Sequence, residues 1–139
     1  IANNVPLGGH AIIEDYVVSE QITPDDINTI KKAGFKTIFC NRPNNEENNQ
    51  ITVESIEKVA EESGIKFIHQ PVIGGQITQA DVDQFSDYYD ASEKPIFAYC
   101  RTGTRSSMLW ALSESGKRSV EEILKLTSKA GYNLNNLFL

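Results

Sequence analysis

The chain has 139 residues, of which 40% are hydrophobic, and it carries a net charge of −6 at pH 7. This length and composition predict one globular domain, residues 1–139, with a single hydrophobic core. The acidic balance argues against nucleic acid or an anionic membrane as a partner. No apolar run comes near the roughly 18 residues that a membrane span needs, so no membrane-spanning segment is expected.

Strand patterns and helix patterns alternate along the chain. The predicted strands are residues 11–18, with a kink at Glu14 and Asp15, then 35–40, 65–69 and 96–99. The predicted helices are 23–34, 52–64, 78–90, 106–116 and a last helix that Ser119 opens. Residues 1–10 predict an extended arm, and 132–139 predict a short final helix.

This alternation predicts a three-layer α/β domain. Its central sheet is expected to hold four to five mostly parallel strands with helices on both faces, and strand 96–99 is expected to lie at the centre. Parallel strands direct their carboxyl ends at a shared crevice. Functional residues are therefore expected where these strands end.

One such end is formed by Asn41 and Arg42, which follow the second strand. Both side chains are expected to approach an anion bound in the crevice, with a solvated loop position as the alternative for Arg42. Cys40, on the strand itself, is expected to belong to the core. The polar run 44–50 predicts an exposed loop that borders the crevice. Its two glutamates are best interpreted as part of a solvated face, with a role in substrate selectivity as the alternative.

The last strand leads into a loop with reactive and anion-binding groups. Cys100 precedes a helix whose first amide groups lack internal partners, so the thiolate form of Cys100 is expected to be favoured. Arg105 can hold two oxygens of a phosphate or sulfate, and Ser106 can donate a hydrogen bond to the sulfur. The anion is expected to contact the loop residues Arg101, Thr102, Gly103, Thr104 and Ser106.

These groups predict a nucleophilic reaction. The Cys100 thiolate would attack a phosphoryl or sulfur centre, and Arg105 with the loop amides would stabilise the developing charge. Taken alone, a cysteine at the end of a buried strand is more often an inert small hydrophobe. The combination of strand, cysteine, glycine, arginine and helix favours the catalytic interpretation.

The loop sequence resembles the active-site loop of the phosphatase-like domain of beta-lactamase hydrolase-like proteins, a bacterial branch of the protein tyrosine phosphatase superfamily. The similar segments are Gln21-Ile22-Thr23-Pro24-Asp25-Asp26, Ala33-Gly34-Phe35-Lys36-Thr37-Ile38, Asn41-Arg42-Pro43, Pro71-Val72 and Tyr99-Cys100-Arg101-Thr102-Gly103-Thr104-Arg105-Ser106. The resemblance implies an architecture like that of the dual-specificity phosphatases. It also implies that Cys100 is the nucleophile and that Arg105 binds phosphate.

Two features differ from the usual tyrosine phosphatase signature. That signature has five residues between cysteine and arginine and a histidine before the cysteine, whereas four residues separate Cys100 from Arg105 and Tyr99 precedes. A loop of this size is similar to that of rhodaneses, which carry sulfur on the cysteine. A sulfurtransferase with a persulfide on Cys100 is therefore the alternative to a phosphatase.

The general acid is not evident in the sequence. The resemblance implies an aspartate on the loop after the third strand, but residues 72–77 hold no carboxylate. Asp81 is the candidate, although its spacing from Thr78 fits a helix cap. Without an acid, substrates with poor leaving groups are expected to turn over slowly.

No metal site is expected, because the two cysteines lack CxxC spacing and the two histidines lie far apart. No organic cofactor is expected, because the reaction proposed for Cys100 and Arg105 needs none. The expected substrate is a phosphorylated small molecule or a phosphoprotein. A non-enzymatic domain that binds an anion or senses oxidation, with Cys40 as the partner of Cys100, stays open. The chain begins at Ile1 rather than Met, which fits a trimmed start or a removed export signal, so location stays open with the cytoplasm slightly favoured.

Overall fold

The computed structural model describes residues 7–137. The strands are β1 (His10–Ile13), β2 (Tyr16–Ser19), β3 (Thr37–Cys40), β4 (Lys66–His69) and β5 (Ile96–Tyr99). The helices are α1 (Asp26–Lys32), α2 (Val53–Glu62), α3 (Gln79–Ala91), α4 (Thr104–Ser113) and α5 (Val120–Lys129). Each strand after β2 is preceded by a helix, which is the alternation that the sequence predicts.

The five strands form one mostly parallel sheet in the order β1-β2-β5-β3-β4. Strands β2, β5, β3 and β4 run parallel, and β1 pairs with β2 in the antiparallel direction. The predicted α/β class, the mostly parallel sheet and the central position of the last strand are confirmed. The carboxyl end of β5 therefore lies between the ends of β2 and β3.

Successive residues of the central strands alternate between two buried faces. Val18, Phe39 and Ala98 pack into one hydrophobic cluster together with residues of α3, α4 and α5. Phe97 and its neighbours across the sheet, Val17 and Ile38, pack into a second cluster with residues of α1 and α2. Burial on both faces makes the sheet a rigid support, since each fully buried side chain of this size contributes about 1.5–3 kcal/mol.

The first predicted strand is in fact two strands. Glu14 and Asp15 form a turn between β1 and β2, so the predicted kink is a hairpin. The chain reverses here because the short β1 can pair with the edge of β2, whose other edge pairs with β5. The prediction of a single strand over 11–18 was wrong for that reason.

Of the predicted helix starts at Thr23, Thr52, Thr78 and Ser119, three have a hydroxyl that caps the helix in the structure. Thr52, Thr78 and Ser119 each accept a hydrogen bond from the backbone amide three residues later. Thr23 was also predicted to cap a helix, but α1 begins after Asp25 and has no side-chain cap. Instead, the carboxylate of Asp26 accepts the Thr23 amide at 2.8 Å.

The two chain ends agree only in part with their predictions. Residues 1–6 of the predicted arm lie outside the described residues, and the arm stops before residue 10, because His10 already begins β1. The final helix predicted for 132–139 is absent from its described part, where residues 135–137 form a turn and Leu134 is buried. Across residues 7–137, no helix has both the length and the apolar character needed to span a membrane.

Candidate active site

Cys100 directly follows the central strand β5, and its side chain is fully buried. Gly103 adopts a left-handed conformation with φ of 91° and precedes the first residue of α4. The predicted helix start at Ser106 is therefore two residues late. Thr104, Arg105 and Ser106 lie in the first turn, where free amide groups and the positive end of the helix dipole favour an anion.

The sulfur of Cys100 contacts the backbone of its own loop. The Gly103 amide donates a hydrogen bond to Sγ with a nitrogen to sulfur distance of 3.0 Å. The sulfur is thus bonded to the backbone of the turn that leads into α4. The charge of Cys100 also contributes, after burial, to raising the pKa of Tyr132 to about 12.

Tyr132 supports the same loop from a distant part of the chain. Its hydroxyl donates to the Thr102 carbonyl at 3.1 Å, and a Cβ atom at Gly103 would lie 2.2 Å from that hydroxyl oxygen. The loop can therefore take this shape only with glycine at 103. Sequence reasoning missed Tyr132, and no local pattern marks it.

Arg105 is largely buried and points along the crevice. Its Nη1 and Nη2 groups donate to the two carboxylate oxygens of Glu46 at 2.7 and 2.8 Å, and Nη1 also donates to the Val72 carbonyl at 2.9 Å. The hydrogen bond from Arg105 is the main cause that lowers the pKa of Glu46. The same bond is the main cause that raises the pKa of Arg105, with further contributions from the Cys100 charge.

Arg42 is buried rather than solvated. Its guanidinium donates to Gln21 at 2.8 Å, to Glu46 at 2.9 Å and to Glu47 at 2.8 Å. Exposed Arg101 also pairs with Glu47, at 3.0 Å. The two glutamates of the polar run thus face three arginines, and both residues are exposed, as predicted for this loop.

Asn41 and Ser106 join the strand ends to the helix. The Ser106 hydroxyl donates to Asn41 Oδ1 at 2.8 Å, and Asn41 Nδ2 donates to the Gln70 carbonyl at 3.1 Å. The structure thus directs the Ser106 proton at Asn41, and Asn41 is fully buried. Asn41 lies beside the loop as predicted, and its side chain bonds protein groups.

An open crevice of about 480 Å³ lies over the loop and the start of α4. It is lined by Glu46, Gly74, Gly75, Arg101, Thr102, Thr104, Arg105 and Met108. The Thr102 and Thr104 hydroxyl oxygens lie 2.9 Å apart at its edge. Four of the predicted loop residues, Arg101, Thr102, Thr104 and Arg105, therefore line one cavity, whereas Cys100, Gly103 and Ser106 are buried and do not line it.

Asp81 does not line this crevice. Its carboxylate accepts the Thr78 amide at 3.0 Å, while its own amide donates to the Thr78 hydroxyl at 3.2 Å. Glu46 is the one carboxylate among the described lining residues, and two arginines bind it. Within residues 7–137, no group of His, Cys, Asp and Glu side chains is arranged to hold a metal ion.

Comparison with known proteins shows one family over most of the chain. The family model described as beta-lactamase hydrolase-like protein, phosphatase-like domain, matches residues 10–117. A beta-lactamase hydrolase-like protein of Xylella fastidiosa is 32% identical over 125 residues, which is 88% of this chain and 29% of that protein. The chain thus spans less than a third of the length of this curated relative.

Solved structures share the architecture. A candidate phosphatase from Neisseria meningitidis is 38% identical, with a TM-score of 0.84, over 94% of this chain and 93% of that chain. P. aeruginosa TpbA, solved in complex with pTyr, has a TM-score of 0.68 over 94% of this chain and 78% of its own, at 10% identity. The second comparison concerns the fold alone.

Proposed function

The chain belongs to the phosphatase-like domain family of beta-lactamase hydrolase-like proteins, and from that membership we propose that it is a cysteine-dependent phosphatase acting on a phosphomonoester. The observation that carries the proposal is the hydrogen bond from the Gly103 amide to Cys100 Sγ at the start of α4, with Arg105 in the first turn of that helix. A nucleophile and an oxyanion-binding group are thereby adjacent.

In the first step, the Cys100 thiolate attacks phosphorus. A sulfur–phosphorus bond forms while the ester phosphorus–oxygen bond breaks, and the leaving alkoxide or phenoxide takes a proton from water. Arg105 and the loop amides hold the phosphoryl oxygens, whose charge grows in the transition state. The phosphoryl group is left on the sulfur.

In the second step, water attacks the phosphocysteine. A new phosphorus–oxygen bond forms, the sulfur–phosphorus bond breaks, and inorganic phosphate leaves while the thiolate of Cys100 is restored. The same loop donors serve both steps, because the phosphoryl oxygens stay in place. Arg101, Thr102 and Thr104 line the crevice and can contact the oxygens that Arg105 does not reach.

Neither Asp81 nor Glu46 is placed to protonate the leaving group. Asp81 is engaged as a helix cap, and Glu46 is bound by arginines. A well-placed acid contributes about 10²–10⁴-fold to such reactions. We therefore expect efficient hydrolysis only for esters whose leaving group needs no proton, such as activated aryl phosphates.

The proposed substrate is a phosphorylated small molecule or a phosphoprotein. TpbA, which shares the fold, was solved with pTyr, and an open crevice of about 480 Å³ accommodates a phosphorylated side chain or a small ester. Phosphatase assays on different phosphate esters distinguish between these two classes of substrate. Phosphotyrosine, phosphoserine and small phosphomonoesters are the first compounds to compare.

A sulfurtransferase is the second candidate, since four residues separate Cys100 from Arg105 as in a rhodanese-like loop. Incubation with p-nitrophenyl phosphate measures phosphate release, and incubation with thiosulfate and cyanide measures thiocyanate. Cys100→Ser should abolish whichever activity is present, and Cys40→Ser is the control for the same substitution at the other buried cysteine. Thiocyanate without phosphate release would reject the phosphatase, and oxyanion binding without either turnover would indicate a binding domain.

A further inference from the structure

Arg105 donates hydrogen bonds to other protein groups from only part of its guanidinium. Arginine has five N–H donors in a rigid planar fork. Three of them are used by Glu46 and Val72, through both Nη1 hydrogens and one Nη2 hydrogen. The other two, on Nε and Nη2, make no hydrogen bond to an oxygen of any described residue.

These two remaining donors are parallel to each other. Nε–H and the second Nη2–H lie on the same edge of the guanidinium, and this edge matches two oxygens of a phosphate or sulfate. Cys100 contributes charge and a side-chain hydrogen bond to the raised pKa of Arg105. Arg105 also lies in the first turn of α4, directly after the Gly103 cap whose amide donates to Cys100 Sγ, so its guanidinium belongs to the loop that has to bind the phosphoryl group.

Glu46 is itself held in position. Its Oε1 accepts from Arg42 Nε at 2.9 Å, and its backbone amide donates to Gln50 Oε1 at 2.8 Å. Arg42 is in turn buried and bound by Gln21 and Glu47. Buried Arg42 thus holds the Glu46 carboxylate in the position where it accepts hydrogen bonds from Arg105.

We propose that Glu46 is a positioning residue for the phosphate-binding arginine: it occupies the far end of the Arg105 guanidinium and presents the edge formed by Nε–H and the second Nη2–H to the substrate phosphate. This rests on the proposed phosphatase function. The polar run 44–50, which carries Glu46, then belongs to the site that binds the phosphate oxygens. If Glu46 instead competed with the substrate anion for Arg105, removing the Glu46 charge would make the protein bind the anion more tightly.

The test compares Glu46→Gln with Glu47→Gln in the full chain. Both variants remove one negative charge from adjacent positions, but Glu47 contacts Arg42 and Arg101 and does not contact Arg105. Sulfate is the probe, and its dissociation constant is measured by calorimetry. Because sulfate stays a dianion near neutral pH, its affinity reports on the site without titration of the ligand.

Positioning predicts that Glu46→Gln weakens sulfate binding by about tenfold or more, the loss typical of a charge-assisted pair of hydrogen bonds. Glu47→Gln removes the same charge but no contact to Arg105, so it should weaken sulfate binding less than Glu46→Gln does. With an aryl phosphate, Glu46→Gln should lower kcat more than it raises KM, because Arg105 contacts strengthen in the transition state. Glu46→Asp keeps the charge and should give an intermediate loss, which serves if the glutamine variant does not fold.

A double-mutant cycle with Arg105→Lys separates positioning from a purely structural role. If Glu46 acts through the guanidinium, Glu46→Gln should have little further effect on sulfate affinity in the Arg105→Lys background. Additive losses would overturn the proposal, and so would sulfate binding by Glu46→Gln as tight as that of the parent protein. A parent protein that binds sulfate and turns over aryl phosphate keeps the proposed function in either case, and a parent that does neither rejects both.

Discussion

Gly103→Ala is expected to damage the loop through two separable effects. The first is conformational, because an L-residue at φ of 91° pays about 1–2 kcal/mol. The second is steric, because the added Cβ would lie 2.2 Å from the Tyr132 hydroxyl oxygen. Tyr132 must then move and release the Thr102 carbonyl, which costs about 1 kcal/mol for the lost hydrogen bond.

The sum is an expected loss of about 2–3 kcal/mol in the free energy of unfolding. Gly116→Ala isolates the conformational part, since Gly116 has nearly the same φ of 90° and no atom within 4 Å of the added Cβ. That control should lose only about 1–2 kcal/mol. Urea denaturation monitored by circular dichroism measures both values.

Tyr132→Phe provides the second arm of the experiment. Without the hydroxyl, the nearest atom to the new Cβ is the ring carbon Cζ at 3.0 Å, so the clash is reduced. The combined variant should therefore be about 1 kcal/mol more stable than the sum of the single changes predicts. The reasoning fails if Gly103→Ala is no more destabilised than Gly116→Ala, or if the two changes at 103 and 132 are additive.

Three further predictions follow from the site. Phenyl phosphate should turn over about 10²-fold or more slowly than p-nitrophenyl phosphate in steady-state assays, because no free acid faces the leaving group; equal rates would indicate a proton donor. Asn41→Ala should cost about 2–4 kcal/mol in urea denaturation, since Ser106 Oγ and the Gln70 carbonyl lose their buried partner; a loss below 1 kcal/mol would contradict this. The pKa of Glu46 lies below its ordinary value of 4.5, so the stability that its charge contributes is present above pH 4.5 and is lost as the pH falls through the lowered pKa. The difference in unfolding free energy between the parent and Glu46→Gln should therefore shrink on acidification. A difference that stays constant with pH would refute the ion pair.

Local patterns were enough to predict the scaffold and the loop. Strand β5 is an apolar run, and Gly103 marks the turn into a helix, so both are encoded within a few residues of Cys100. The central position of β5 follows from the rule that strand–helix–strand units build a parallel sheet. The family resemblance supported the same assignment, and the family model that matches residues 10–117 agrees with it.

Pairing between distant segments was less predictable. The hairpin of β1 and β2 was read as one kinked strand, because the turn at Glu14 and Asp15 carries neither glycine nor proline to mark a reversal. The start of α4 was placed two residues late, because the left-handed conformation of Gly103 ends the loop earlier than the hydroxyl pattern suggests. These errors concern where an element begins and what it pairs with.

The sequence by itself determined the chemical inventory of this protein: a thiol after a buried strand, a glycine that permits the loop and an arginine on the next helix. Only the tertiary structure decided which groups meet those residues. Glu46 lies 59 positions before Arg105, and Tyr132 lies 30 positions after Thr102. Such contacts depend on the order of strands in the sheet, because that order brings the loops from separate parts of the chain to the same edge.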